Sequence, residues 1–440
     1  MFPRIRLLTP IFAFTLALAT ITPTFAGENL GLPTADPESL GMSSEKLDKI
    51  PTLLASLVNN QQVPGFVTVV ARDGKVVHFN AFGSRDVERE KPMTPDTIFR
   101  MYSMTKPITG VAVMILVDEG KLKVTDNLSK YLPEFSEMTV MEVSKIGSTQ
   151  IVPAKSPITV ENLLMHTSGL IYGIFDGGPL GELYNENGIN SDGSSGNTLE
   201  EFSKMVAKMP LKAHPGTEWN YSVSMDVLGR VVEVVTGQRY GDFLEERIFQ
   251  PLGMKDAGFY VPAENADRLA ANYGPKTGGS GMVLIDDPLT SAFLKVPSLD
   301  SGGGGSVGTA KDYLRFAQML LNGGELDGVR IISEESAEAM TSDHMGPEYG
   351  TTPIKVSGFV LPGVGFGYTG AVVRESSKQT VFGGPGEYTW AGYASTDFWI
   401  DKKENIVGIV LTQLLPAGTY PQRVQVHNAV YAAITESHAK

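Results

Sequence analysis

Residues 66–82, FVTVVARDGKVVHFNAF, read as two strands folded back on each other. Apolar and β-branched side chains fill both arms, Phe66–Arg72 and Lys75–Phe82. Between them stands Asp73-Gly74, the dipeptide that a tight two-residue hairpin favours. Near the other end of the chain, Thr396–Ile400 and Ile406–Thr412 flank residues 401–405 and read as a second hairpin. Hairpins rather than βαβ crossovers imply an antiparallel sheet. Residues 44–60 read as an amphipathic helix capped by Ser43 or Ser44, and residues 420–436 as another. Helices therefore stand before and after the sheet, able to cover one or both of its faces.

The long stretch between the hairpins reads mostly as helices and loops. Residues 107–119 form a strongly apolar helix, and 159–165, 222–236 and 240–250 three more. Residues 309–322, TAKDYLRFAQMLLN, form the clearest amphipathic helix, with Thr309 as its cap and Gly323-Gly324 as its stop. Residues 173–198 and 340–380 read as loose segments, and no internal repeat or interdomain linker is evident. The expected fold is α/β of the α+β kind: an antiparallel β-sheet flanked by helices, built from both chain ends. A mainly helical insertion spans roughly 110–300, and a cleft between sheet body and insertion is the natural site.

Composition narrows the functions open to such a fold. With 36 Lys and Arg against 49 Asp and Glu, the chain carries a net charge of −13, which disfavours nucleic acid and anionic membranes as partners. Its lack of cysteine excludes disulfides, thiolate nucleophiles and Cys-ligated metals. The six histidines form no HxH, HxxxH or HExxH pattern, so neither metal nor other cofactor is expected. The first 26 residues read as an export signal: Arg4 and Arg6, an apolar run from Leu7 to Ile21, then Thr24-Phe25-Ala26 as a cleavage site. Cleavage after Ala26 leaves a periplasmic or secreted protein with no stable membrane insertion.

The candidate chemistry begins at Ser103-Met104-Thr105-Lys106. A serine hydroxyl is a poor nucleophile until a base takes its proton. Ser and Lys three residues apart on a helix lie on one face, and the apolar helix that follows would bury Lys106 and favour its neutral amine. A helix N-terminus would also present N–H groups to a developing oxyanion. A rival serine, Ser306, sits in a formal G-x-S-x-G, but the approach PSLDSGGGG lacks the strand a nucleophile elbow needs and fits a loop packed close to the cleft. Tyr221, just ahead of a helix, could pass a proton between serine and leaving group. Trp390-Ala391-Gly392 reads either as an edge strand with a packed aromatic or as a strand along which substrate runs. His166 closes a short helix, where a structural contact with helix-end carbonyls is expected.

These blocks together resemble the serine β-lactamase superfamily, which holds class C β-lactamases, D-alanyl-D-alanine carboxypeptidases and family VIII carboxylesterases. The resemblance spans most of residues 37–435: SMTK at 103–106, LLMHTSGL at 163–170, YSVSMDVLG at 221–229, FQPLGM at 249–254, the glycine-rich run into TAKDYLRFAQMLLNGG at 303–324, and WAGYASTDFWID at 390–401. It implies an antiparallel sheet flanked by helices with an inserted all-helical subdomain. It implies Ser103 as nucleophile, Lys106 as its base and Tyr221 as second proton carrier. The oxyanion hole would be the N–H groups of Ser103 and Tyr393, with Trp390, Gly392 and Tyr393 lining the substrate site.

Two departures bear on substrate. Class C enzymes resemble one another in Tyr-x-Asn and Lys-Thr-Gly, where this chain has Val223 and Trp390-Ala391-Gly392. Valine has no donor or acceptor to clamp a substrate amide, and tryptophan does not attract a carboxylate. Both changes resemble family VIII carboxylesterases. The expected function is an exported serine hydrolase cleaving small carboxylic esters through an acyl-enzyme. The alternatives are a β-lactamase or D-alanyl-D-alanine carboxypeptidase acting on an amide, and a non-catalytic cell-wall-binding homologue.

Overall fold

The Asp73-Gly74 hairpin forms as expected, with strands Gly65–Arg72 and Lys75–Asp86. Both turn residues have positive φ, 51° and 71°, the backbone of the turn that matches strand twist. The computed structural model describes residues 30–144, 147–189, 196–346, 354–356, 359–374 and 384–438. The proposed leader, residues 1–26, lies outside them.

Strand Gly65–Arg72 is buried along its whole length because both faces of the sheet are covered. Alternate side chains go to different cores. Val67, Val69 and Ala71 join a large core with Tyr313, Leu314, Ala317 and Leu320 of helix Ala310–Leu321. Phe66 and Val70 join a second core with helices Ile50–Asn59 and Gln422–Ala433. The sheet has eight strands, all paired antiparallel, in the order 364–366, 371–373, 388–391, 397–401, 406–411, 65–72, 75–86 and 91–92. Strand Ile406–Leu411, from the far end of the chain, pairs directly with Gly65–Arg72, so both chain ends build the body.

Three expectations need correction. The segment 340–380 is not simply loose, since Val364–Phe366 and Ala371–Val373 are the outer strands of the main sheet. Trp390 is consequently not on an edge strand, because Ala371–Val373 pairs outside it. The insertion is not all-helical: besides helices Val160–Leu164, Leu199–Val206 and Ser224–Thr236 it carries hairpins at 139–153 and 272–286. The reading of 44–60 as one helix also divides in two, Ser44–Leu47 and Ile50–Asn59, with Pro51 in the first turn of the second, where its missing N–H costs nothing. Among the described residues, no helix is long and apolar enough to cross a membrane.

Candidate active site

Helix Thr105–Asp118 is buried from its first residue to Leu116, so it runs through the core instead of along the surface. That burial carries Lys106 with it, and its side chain is fully enclosed. Ser103 sits one turn earlier, in a 3₁₀ turn at 102–104. Tyr102, just before it, has φ 47°, an unfavourable conformation for a bulky residue and a sign of strain at the Ser103 turn. Its ring is fixed by an edge-on contact with Tyr393 and by its hydroxyl, which accepts from Asn272 Nδ2 at 3.1 Å.

Ser103, Lys106 and Tyr221 meet. Lys106 Nζ is 3.2 Å from Ser103 Oγ, and the Tyr221 hydroxyl donates to the same oxygen at 2.6 Å. Lys106 Nζ also donates to the Gly303 carbonyl at 2.6 Å and contacts the Tyr172 hydroxyl at 3.2 Å. It lies 4.6 Å from the centre of the Tyr221 ring. Among the described residues no carboxylate is within ion-pair range of this amine.

The glycine-rich loop before Ser306 is the floor under Lys106. Asp226, on helix Ser224–Thr236, accepts from Ser301 Oγ at 2.6 Å and from Gly303 N–H at 3.1 Å, and so fixes the carbonyl that holds the lysine. A side chain at 303 would strike the Tyr172 hydroxyl at 2.4 Å, which is why glycine stands there. Ser306 itself is buried, 2.6 Å from Thr105 Oγ1, and its carbonyl accepts from Met101 N–H. It braces the back of the Ser103 turn.

The opposite wall is the strand carrying Trp390. Its outer neighbour reaches only as far as Thr389, so Trp390 and Ala391 are paired on one side alone, a local edge within an interior strand. The turn that follows is buttoned to the residue that leads into the Ser103 turn: Thr396 Oγ1 donates to Met101 O at 3.1 Å, and a Cβ on Gly392 would come within 2.3 Å of that oxygen. Among the described residues, neither Ser103 nor Tyr393 spends its backbone N–H in a hydrogen bond. A cavity of about 550 Å³ is lined by Ser103, Tyr221, Trp390, Gly392 and Tyr393, with Phe175 reaching in from the insertion. Its walls are mostly apolar, with Val356, Leu361 and Pro416 among them.

Val223 is not brought to this cavity. Its side chain is wholly buried in the large core and does not line the wall. His166 is also buried, but it meets the Ser222 hydroxyl instead of helix-end carbonyls. Tyr172, Gly303 and Asp226 join the site without a sequence motif that marks them. Tyr172 directly follows the HTSGLI run, and only the fold shows that this run lies against Tyr221.

Residues 50–431 match the profile of the Beta-lactamase family. The chain belongs to that family. This Beta-lactamase family member is 35% identical to protein Rv1367c of Mycobacterium tuberculosis over 355 residues, 80% of this chain and 86% of that one. It is 31% identical to esterase EstB of Burkholderia gladioli over 417 residues, 90% of this chain and 98% of EstB. Among solved structures it is similar to EstCE1, described as a hydrolase with promiscuous acyltransferase activity. There the TM-score is 0.72 at 29% identity, covering 88% of this chain and 99% of that one.

Proposed function

We propose that this Beta-lactamase family member is a serine carboxylesterase that cleaves small neutral esters through an acyl-enzyme on Ser103. The observation that carries the proposal is a single serine oxygen in hydrogen-bond contact with both Lys106 and Tyr221, at the wall of a largely apolar cavity. Lys106 takes the Ser103 proton as Oγ attacks the ester carbonyl. The N–H groups of Ser103 and Tyr393 receive the oxyanion. Tyr221 gives its proton to the departing alkoxide and is reprotonated from Lys106. Water then attacks the acyl-serine in the reverse sense, releasing the acid and restoring the Ser103 hydroxyl. The similarity to EstB, an esterase, and to EstCE1, a hydrolase, supports this class of reaction.

The preference for neutral esters rests on Trp390 and on charge pairing. Trp390 brings no charge to the strand beside Ser103, and at the cavity's far end the Arg423 guanidinium lies 3.1 Å from the Asp397 carboxylate. An anionic substrate therefore finds the Arg423 charge already compensated. Val223, buried in the core, takes no part in this preference. The test compares kcat/KM for short-chain p-nitrophenyl esters, a chromogenic cephalosporin and a D-alanyl peptide. The esters are expected to be the best substrates; a higher value for the cephalosporin overturns the esterase reading. Export through residues 1–26 belongs to the same proposal, and the mature N-terminus of the exported protein checks it.

A further inference from the structure

The mechanism above leaves unused a buried histidine that packs against one of its proton carriers. His166 has no solvent exposure, and its ring centre is 5.0 Å from that of Tyr221, 5.7 Å from Trp219 and 5.8 Å from Phe366. Its φ is 56°, so the chain turns sharply there. From its Nδ1 a run of hydroxyls continues through the interior. Ser222 Oγ lies at 3.0 Å, Ser224 Oγ 2.8 Å beyond it, and Ser168 Oγ 2.9 Å beyond that. All three serines are fully buried, and the run ends where Leu170 N–H donates to Ser168 Oγ at 3.2 Å.

One direction of the hydrogens pairs every serine hydroxyl in this run. In it, Ser168 accepts from Leu170 and donates to Ser224, Ser224 donates to Ser222, and Ser222 donates to His166 Nδ1. The opposite direction leaves the Ser168 hydrogen without an acceptor among the described residues. The ring is then neutral with its proton on Nε2, which has no hydrogen-bond partner among the described residues and sits in a ring of aromatics able to accept an N–H weakly. Burial and the nearby Lys106 charge both hold the imidazole neutral, well below its ordinary pKa.

Main-chain bonds run beside this chain of side chains. Asn220 N–H donates to His166 O at 2.8 Å, Tyr172 N–H to Tyr221 O at 3.3 Å, and Val223 N–H to Ile171 O at 3.4 Å. Segments 166–172 and 220–224 are thus strapped together, and each delivers one tyrosine to the reacting groups: Tyr172 to Lys106 and Tyr221 to Ser103.

We propose that His166 is a positioning residue for the reaction, accepting from Ser222 and thereby holding Tyr221 on the Ser103 hydroxyl. The inference rests on the reading of Tyr221 as a proton carrier. A fixed catalytic geometry is worth this investment because a shift of about 1 Å costs on the order of 100-fold in rate.

Three variants test it, with p-nitrophenyl ester kinetics, the rate of fluorophosphonate labelling and thermal melting. His166→Phe keeps the aromatic packing and removes the acceptor; Ser222→Ala breaks the same bond from the other end. Each is expected to lower kcat and the labelling rate roughly 10- to 100-fold, with KM changed by less than about threefold. His166→Asn, which offers an amide oxygen near Nδ1 and tolerates positive φ, is expected to restore most of the rate. In a Tyr221→Phe background, His166→Phe is expected to add less than about twofold, because its effect passes through that hydroxyl. A folded His166→Phe or Ser222→Ala protein with wild-type kcat overturns the inference, as does a full multiplicative loss in the Tyr221→Phe background. If His166→Phe does not fold, the smaller Ser222→Ala change decides alone. A Tyr221→Phe enzyme with undiminished kcat instead removes the reading of Tyr221 on which the inference stands.

Discussion

Replacing Tyr221 by phenylalanine separates chemistry from packing at this site. The change removes one oxygen, the donor 2.6 Å from Ser103 Oγ. The ring keeps its neighbours: Trp219 stacked at 6.0 Å, Tyr172 at 5.2 Å and Trp390 at 5.6 Å between centres. The stability cost is therefore that of one hydrogen bond, about 1 kcal/mol. The catalytic cost is that of a lost proton carrier, roughly 10²- to 10⁴-fold. At about 1.4 kcal/mol per tenfold, that is about 3 to 6 kcal/mol of transition-state stabilisation. The expected signature is a nearly unchanged melting temperature with a collapse of kcat on p-nitrophenyl butyrate. Lys106→Met interrupts the same relay, so the double variant should lose clearly less than the product of the single losses. Because Lys106→Met also leaves Gly303 O without its donor, its melting must be measured alongside. A Tyr221→Phe enzyme within about threefold of wild type, or losses that multiply cleanly, refutes the relay.

Ser306→Ala is expected to retain esterase activity and labelling by a fluorophosphonate, since its hydroxyl braces Thr105 and is itself buried; labelling that vanishes in this variant but survives Ser103→Ala reverses the assignment. Burial raises the carboxyl pKa of Asp312, which closes the capping box of helix Ala310–Leu321, from its ordinary 3.8 to about 6. The folded protein then binds this proton more tightly than the unfolded chain, so the stabilisation is present at low pH and lost as pH rises through about 4 to 6. Chemical denaturation from pH 4 to pH 7 should accordingly show wild type losing stability relative to Asp312→Asn, and a constant difference refutes the assignment.

The parts of the fold legible in sequence were those with a local physical signature. Asp73-Gly74 between β-branched runs announced its hairpin, and Thr309 ahead of an amphipathic run stopped by Gly323-Gly324 announced a capped helix. The outer strands Val364–Phe366 and Ala371–Val373 gave no such sign, being three residues each in a run broken by Gly363, Gly365, Gly367 and Gly370. They exist because the sheet beside them supplies partners. At the site, Ser103 and Lys106 were legible because helical spacing alone brings them together. Tyr172 and Asp226 were not, since their contacts with Lys106 and Gly303 join residues far apart in sequence. Val223 was misplaced for the same reason: spacing from Tyr221 cannot say which way a residue at a helix entry faces, and here it faces the core.

The pairing of Gly65–Arg72 with Ile406–Leu411 has a consequence for the order in which the molecule can assemble. A ribosome delivers residues 65–86 early, and that hairpin then presents one open strand edge until the last part of the chain emerges. The Ser103 turn waits as well, because Met101 is held by Thr396 and Ser306. Contacts this distant in sequence make folding slow. The Ser103 site is therefore complete only once both ends of the chain have met.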